Sequence, residues 1–384
     1  MQNGPTMIRS QQDALPAVMT TSAMQPFVYQ TYPQRVVFGP GSLARLADEV
    51  DALGARRALV LCTPGQRHLA ERVAALLGAR CAGIFDGAVM HVPVEQARRA
   101  REIAAECGAD CSVAIGGGST IGLGKAIALE SSLPVIAIPT TYAGSEMTPI
   151  YGLTEAGRKR TGRDPRVLPK TVIYDPELSL ALPPAISVTS GMNAIAHAAE
   201  GLYASDRNPV TQWMSRDGIA ALGRALPVIA NPASPADALR DARTDALYGT
   251  WLCGAVLGSV TVGLHHKLCH TLGGTLNLPH AEVHTIVLPH ALAYNAPATA
   301  QAMTAIAESL GATHGDGPRA VFELASSLGA PRSLRELGMS HDDIEIICTL
   351  ALRDQYPNPR PLAYDGIRDL LEDALEGRPP RVAR

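Results

Sequence analysis

Up to about residue 180 the chain alternates short strand-like apolar runs with amphipathic segments, and beyond that point the strand-like runs disappear. PFVYQTY, QRVVFG, RRALVLC, CAGIFDGA, CSVAIGGGS, PVIAIPTT and KTVIYDP read as strands. Between them GSLARLADEVDALG, capped by Ser42, GQRHLAERVAALLG, VEQARRAREIAAECGA and TIGLGKAIALES carry apolar residues at helical spacing. Strands that alternate with helices predict an open, mainly parallel α/β sheet. From SVTSGMNAIAHAAEGLYAS onward the apolar segments read as helices, separated by Pro, Gly and Asn. The expected organisation is a loose leader over residues 1–24, an α/β domain over 25–180 and an all-helical domain over 181–384, joined near Leu180–Pro184.

Composition narrows the class. With 384 residues, 46% apolar and 18% charged, the chain has material for two hydrophobic cores. A net charge of −3 without a long basic run argues against nucleic acid or an anionic membrane as partner. No run of about 18 apolar residues marks a membrane span. Seven cysteines without a CxxC pair predict reduced thiols in a cytoplasmic protein. The first 24 residues lack the apolar segment of a signal peptide.

Two groups of residues carry chemistry. Gly116, Gly117, Gly118 and Ser119 follow the strand CSVAI and precede a helix. Glycines there admit a phosphate close to the backbone, and the first helical amides stabilise its charge; tight turns use the same residues. Thr140 and Thr141 end the strand PVIAIP, at the sheet edge where open α/β folds bind ligands. The GxGxxG fingerprint is absent after the first strand, and RRALVLC runs instead into Thr63 with no acidic residue. The second group lies in GLHHKLCHTLGGTLNLPHAEVHTIVLPH, residues 263–290, which holds six of the 11 histidines. Imidazole is a common metal ligand and a common acid or base. Asn193 and His197 stand one helical turn apart, as do His266 and His270, and His280 follows the Gly-rich turn GGTLNLP. Two helices and a turn thus bring several polar groups together.

These motifs, from about Phe27 to the end of the chain, resemble the iron-containing alcohol dehydrogenase-like superfamily. The resemblance implies an α/β N-terminal nucleotide-binding domain with an all-helical C-terminal domain, the dehydroquinate synthase-like or group III alcohol dehydrogenase-like fold. It implies that GGGS meets a dinucleotide pyrophosphate, that PTT lines the same cleft, and that Lys159 reaches the cofactor region. The family's metal ligands, an aspartate and three histidines, match Asn193, His197, His266 and His280, and a non-ligand histidine near the substrate matches His270. The departures carry information. Asparagine replaces the ligand aspartate, and a neutral amide is a poor partner for a divalent ion. Thr63 replaces an aspartate that many relatives use to read the ribose. With PTTYAGSEMTP, TGRDPRVLPKTVIYDPEL and HHKLCHTLGGTLNLPHAEVHT, these changes are similar to the maleylacetate reductase branch.

Membership of that branch implies NAD(P)H-dependent reduction of the conjugated C=C bond of maleylacetate to 3-oxoadipate, in aromatic catabolism and without a metal. His197, His266, His270 and His280 are then a substrate pocket, with His270 near the proton donor. Asn193, and from position alone Tyr142 and Lys267, are expected at the dicarboxylate substrate. NADH is the expected cofactor with NADPH tolerated, because threonine at position 63 neither holds the ribose strongly nor repels a 2′-phosphate. Relatives imply a homodimer. The alternative is a metal-dependent (Fe or Zn) alcohol or polyol dehydrogenase, since three histidines alone hold zinc elsewhere.

Overall fold

A computed structural model describes residues 26–155, 158–313, 315–353 and 355–382, so the leader expected over residues 1–24 lies outside the described residues. The first half consists of β1 (Arg35–Phe38), α1 (Leu46–Ala52), β2 (Ala58–Leu61), α2 (Arg67–Leu77), β3 (Cys81–Phe85), α3 (Val94–Glu106), β4 (Cys111–Gly116), α4 (Gly118–Ser131), β5 (Val135–Pro139), the hairpin strands β6 (Ile150–Glu155) and β7 (Arg158–Arg163), and β8 (Thr171–Tyr174). Six strands form one parallel sheet in the order β1-β8-β5-β4-β2-β3. Every residue of β2, β4, β5 and β8 is buried. Helices cover both faces, so central strands need no polar alternation and appear in the sequence as unbroken apolar runs. On α2 the buried Ala70, Val73 and Leu77 lie on one face; on α3 Ala97, Ala100 and Ala104 do the same.

Two sequence expectations need correction here. PFVYQTY makes no strand, because no neighbouring strand pairs with it. Ser42 is not a helix cap; it begins a short 3-10 turn, and its hydroxyl donates to Tyr174 O at 3.0 Å. The antiparallel β6–β7 hairpin carries no clear strand signal in the sequence, because the charged run of β7 hides the alternation of a strand.

From residue 184 the structure is helical: α5 (Pro184–Gly201), α6 (Pro209–Ala230), α7 (Ala236–Ser259), α8 (Leu264–Leu276), α9 (His280–Asn295), α10 (Ala300–Ser309), α11 (Gly317–Ser327), α12 (Ile344–Leu352) and α13 (Tyr364–Glu376). No single helix among the described residues is long and apolar enough to cross a membrane. The Gly-rich segment expected as a turn is the last turn of α8. The helix stops only at Asn277, whose φ of +54° turns the chain into Pro279 and α9.

The halves meet closely at one crossing. Gly144, in the loop after β5, has φ +77°, and a Cβ there would lie 3.1 Å from the Gly254 Cα on α7. A Cβ on Gly254 would lie 2.5 Å from Gly144 O. With two glycines the loop rests directly on α7, which brings the neighbouring Ala143 carbonyl to His197 on α5.

Candidate active site

The site has a phosphate-type end on the sheet and an imidazole end in the helices. At the sheet end, β4 runs into Gly116, whose φ is +153°. A Cβ there would lie 2.5 Å from Thr120 Oγ1 and 2.8 Å from Gln66 Oε1, so only glycine fits this turn. Gly117 is followed by α4, with Gly118 exposed and Ser119 in the first turn. This is an open helix N-terminus on a close-approach turn, and it suits the pyrophosphate of a dinucleotide. Thr140 N donates to Gly116 O at 3.0 Å, and Thr140 Oγ1 accepts from Gln66 Nε2 at 3.0 Å. Thr63 Oγ1 in turn donates to Gln66 Oε1 at 3.3 Å. Gln66 therefore links the Thr63 and Thr140 strand ends across the phosphate turn. Thr141 packs against Gly117, where a Cβ would lie 3.1 Å from its side chain. Lys159 stands on β7, but its side chain lies outside the described residues.

At the other end, Asn193, His197 and Glu200 project from the buried α5, and His265, His266 and His270 from α8. His197 Nδ1 and His266 Nε2 lie 2.9 Å apart, and His266 Nδ1 lies 2.7 Å from Glu200 Oε2. Glu200 also accepts from the Gly263 and His265 amides at 2.8 and 2.9 Å. Burial pushes the Glu200 carboxyl up, but the His266 contact and the two amides outweigh it and hold it below its usual range. Burial above all, with His266 next, holds His197 well below the usual imidazole range. A second chain lies behind: His265 Nε2 is 3.0 Å from His284 Nδ1, and Cys269 Sγ is 3.7 Å from His265 Nε2. Burial likewise holds His265 and His284 well below the usual imidazole range. His270 and His280 are half-buried, with rings stacked 6.5 Å apart, and His270 Nδ1 lies 3.2 Å from Tyr356 Oη. Lys267 Nζ sits 5.6 Å from the centre of the Tyr356 ring.

The donor set at the family's ligand positions does not fit a metal ion. Asn193 offers a neutral amide whose Oδ1 is buried without a partner, while its Nδ2 donates to Ala143 O at 3.4 Å. Both ring nitrogens of His197 are engaged, by His266 and by Ala143 O at 3.2 Å, and both of His266 are engaged by His197 and Glu200. A ligand must turn a free lone pair toward the ion, and here each ring nitrogen of His197 and His266 is taken up in a hydrogen bond within the protein. Among the described residues, the group whose ligand atoms lie within 4.8 Å of one another is instead His265, Cys269 and His284.

The structure brings Asn193, His197, His266, His270 and His280 near one another, with Lys267 beside Tyr356. Tyr142 is a correction. It is fully buried, and its hydroxyl accepts a 2.9 Å bond from Arg243 Nη1, so it is committed to the interior rather than to substrate. Sequence reasoning missed Glu200, His265, His284 and Tyr356. Glu200 was findable as the acid one turn after His197, and His284 as the partner one turn after His280. Tyr356 comes from a distant loop and has no local signal.

An iron-containing alcohol dehydrogenase model matches residues 33–176, and the C-terminal model of the Fe-containing alcohol dehydrogenase family matches residues 187–375. The maleylacetate reductase of Burkholderia cepacia is 60% identical, over 93% of this chain and all of that protein. Maleylacetate reductase 1 of Cupriavidus pinatubonensis is 56% identical, over 93% of this chain and 99% of its own. The crystal structure of the maleylacetate reductase from Agrobacterium tumefaciens superposes with a TM-score of 0.88 at 52% identity, covering 93% of this chain and all of the other. This chain belongs to the iron-containing alcohol dehydrogenase family and, within it, groups with the maleylacetate reductases.

Proposed function

We propose that this chain reduces the conjugated C=C bond of maleylacetate to give 3-oxoadipate, using NAD(P)H and no metal, in the breakdown of aromatic compounds. The observation that carries this reading is the closed imidazole cluster, with an amide at position 193 and its ring nitrogens turned on one another. Bound NADH supplies the hydride. The α4 amides with Gly116, Gly117, Gly118 and Ser119 hold the pyrophosphate, and Thr63, Thr140, Thr141 and Lys159 line its cleft. An alkene conjugated to a ketone accepts hydride at the carbon β to the ketone, and charge gathers on the ketone oxygen. N–H donors suffice to stabilise such an enolate, so a Lewis acid is dispensable. His197, His266 and His280 bound the pocket, and Lys267 at the rim attracts a substrate carboxylate. His270, held by Tyr356, delivers the proton that completes reduction at the α carbon. The balance is one hydride and one proton added to one alkene. NADH is the preferred cofactor with NADPH accepted, and the enzyme works as a cytoplasmic homodimer.

The test follows NADH absorbance with maleylacetate before and after chelation, and then with glycerol and simple alcohols plus NAD. Maleylacetate reduction that survives chelation supports the reading. Stoichiometric metal with chelator-sensitive turnover, or alcohol oxidation in its place, selects the metal-dependent dehydrogenase.

A further inference from the structure

We propose that the Arg67–Asp86 pair sets the balance between NADH and NADPH, with Arg67 receiving the 2′-phosphate and Asp86 opposing it. The inference rests on the dinucleotide reading above but not on the identity of the substrate. Because the sheet is parallel, its strand ends line one edge in the order β5, β4, β2, β3. The phosphate turn follows β4. The loop after β5 leads to the imidazole cluster, through Ala143 O and His197. A dinucleotide seated on the turn with its nicotinamide at the imidazoles must therefore lay its adenosine over the ends of β2 and β3.

The groups waiting there are Thr63 after β2, Gln66 against the phosphate turn, and then Arg67. Arg67 Nη1 lies 2.7 Å from Asp86 Oδ2, in the residue following β3, and its Nε lies 3.2 Å from Glu71. The Arg67 side chain is 50% exposed and that of Asp86 42%. Exposed pairs of this kind are weak, so a phosphate dianion can draw the guanidinium away from Asp86. The carboxylate remains close and repels the same phosphate. Attraction and repulsion offset each other, so the pair leaves only a modest preference between the two dinucleotides.

The experiment measures binding of NADH and NADPH to the full chain by nicotinamide fluorescence, without substrate. The variants are Arg67→Ala, Asp86→Asn and, as a control at another exposed arginine of α2, Arg72→Ala. The ratio of the NADPH to the NADH dissociation constant is expected to rise about fivefold or more in Arg67→Ala and to fall about threefold or more in Asp86→Asn. Arg72→Ala leaves it unchanged. A ratio unaltered in Arg67→Ala, a rise in Asp86→Asn, or an equal shift in Arg72→Ala overturns the proposal. Failure to bind either dinucleotide overturns both this inference and the cofactor reading, whereas the expected ratios with no turnover of maleylacetate sink the substrate reading alone.

Discussion

Replacing Glu200 by Gln removes the carboxylate that anchors the imidazole cluster at His266. Glu200 is 1% exposed and accepts from His266 Nδ1 at 2.7 Å, Gly263 N at 2.8 Å and His265 N at 2.9 Å. A glutamine presents one oxygen and one NH2 group. In the less costly orientation the oxygen keeps Gly263 and His266, and the NH2 faces the His265 amide, donor against donor. One buried N–H is stranded, at about 1–3 kcal/mol, and the His266 bond loses its charge assistance, worth about 1 kcal/mol or more. The expected loss is about 3 kcal/mol at pH 7, read from urea unfolding of the variant beside the native chain. The sign with pH follows from the lowered carboxyl. Its contribution is complete above the ordinary carboxyl range and disappears as pH falls through the depressed folded value, so the difference between the two proteins shrinks in acid. A loss under about 1 kcal/mol, or a difference that grows on acidification, refutes Glu200 as the anchor.

Three further outcomes are expected. His270→Ala cuts turnover of maleylacetate by about 100-fold or more while the NADH dissociation constant stays within about twofold; equal loss of both removes its role in proton delivery. Tyr142→Phe costs about 1 kcal/mol of stability, because Arg243 loses an acceptor, and leaves the KM for substrate unchanged; a large rise in KM would restore Tyr142 to the pocket. Gly254→Ala forces a methyl to within 2.5 Å of Gly144 O, so both stability, by about 1–3 kcal/mol, and turnover fall; a fully active, equally stable variant would show that the crossing yields freely.

The two-part architecture was legible in the chain because each half has its own period. Buried parallel strands leave short apolar runs bounded by turn residues, such as VAI and VIAIP, whereas the apolar residues of the second half fall within longer helical segments. The reading failed where local signals compete. Gly273 and Gly274 suggest a turn, yet α8 continues through them because packing of its apolar face outweighs the propensity cost of two glycines. PFVYQTY has strand composition, but a strand exists only where another strand supplies its hydrogen bonds.

By itself the sequence determined which chemistry is on hand: a glycine turn before a helix, an asparagine in a carboxylate's place, and histidines one turn apart on two helices. Spacing within a helix fixes which side chains share a face, so Asn193 with His197 and His266 with His270 follow from local geometry alone. Only the tertiary structure decided what those groups face. The packing of both α5 and α8 on α9 pairs His197 with His266 and sets Glu200 behind it, and the Gly144–Gly254 crossing brings in the Ala143 carbonyl. It also turned Tyr142 inward to Arg243. Such partners are tens of residues apart along the chain, and what joins them is burial, which forces each polar atom to find whichever partner the fold has left beside it.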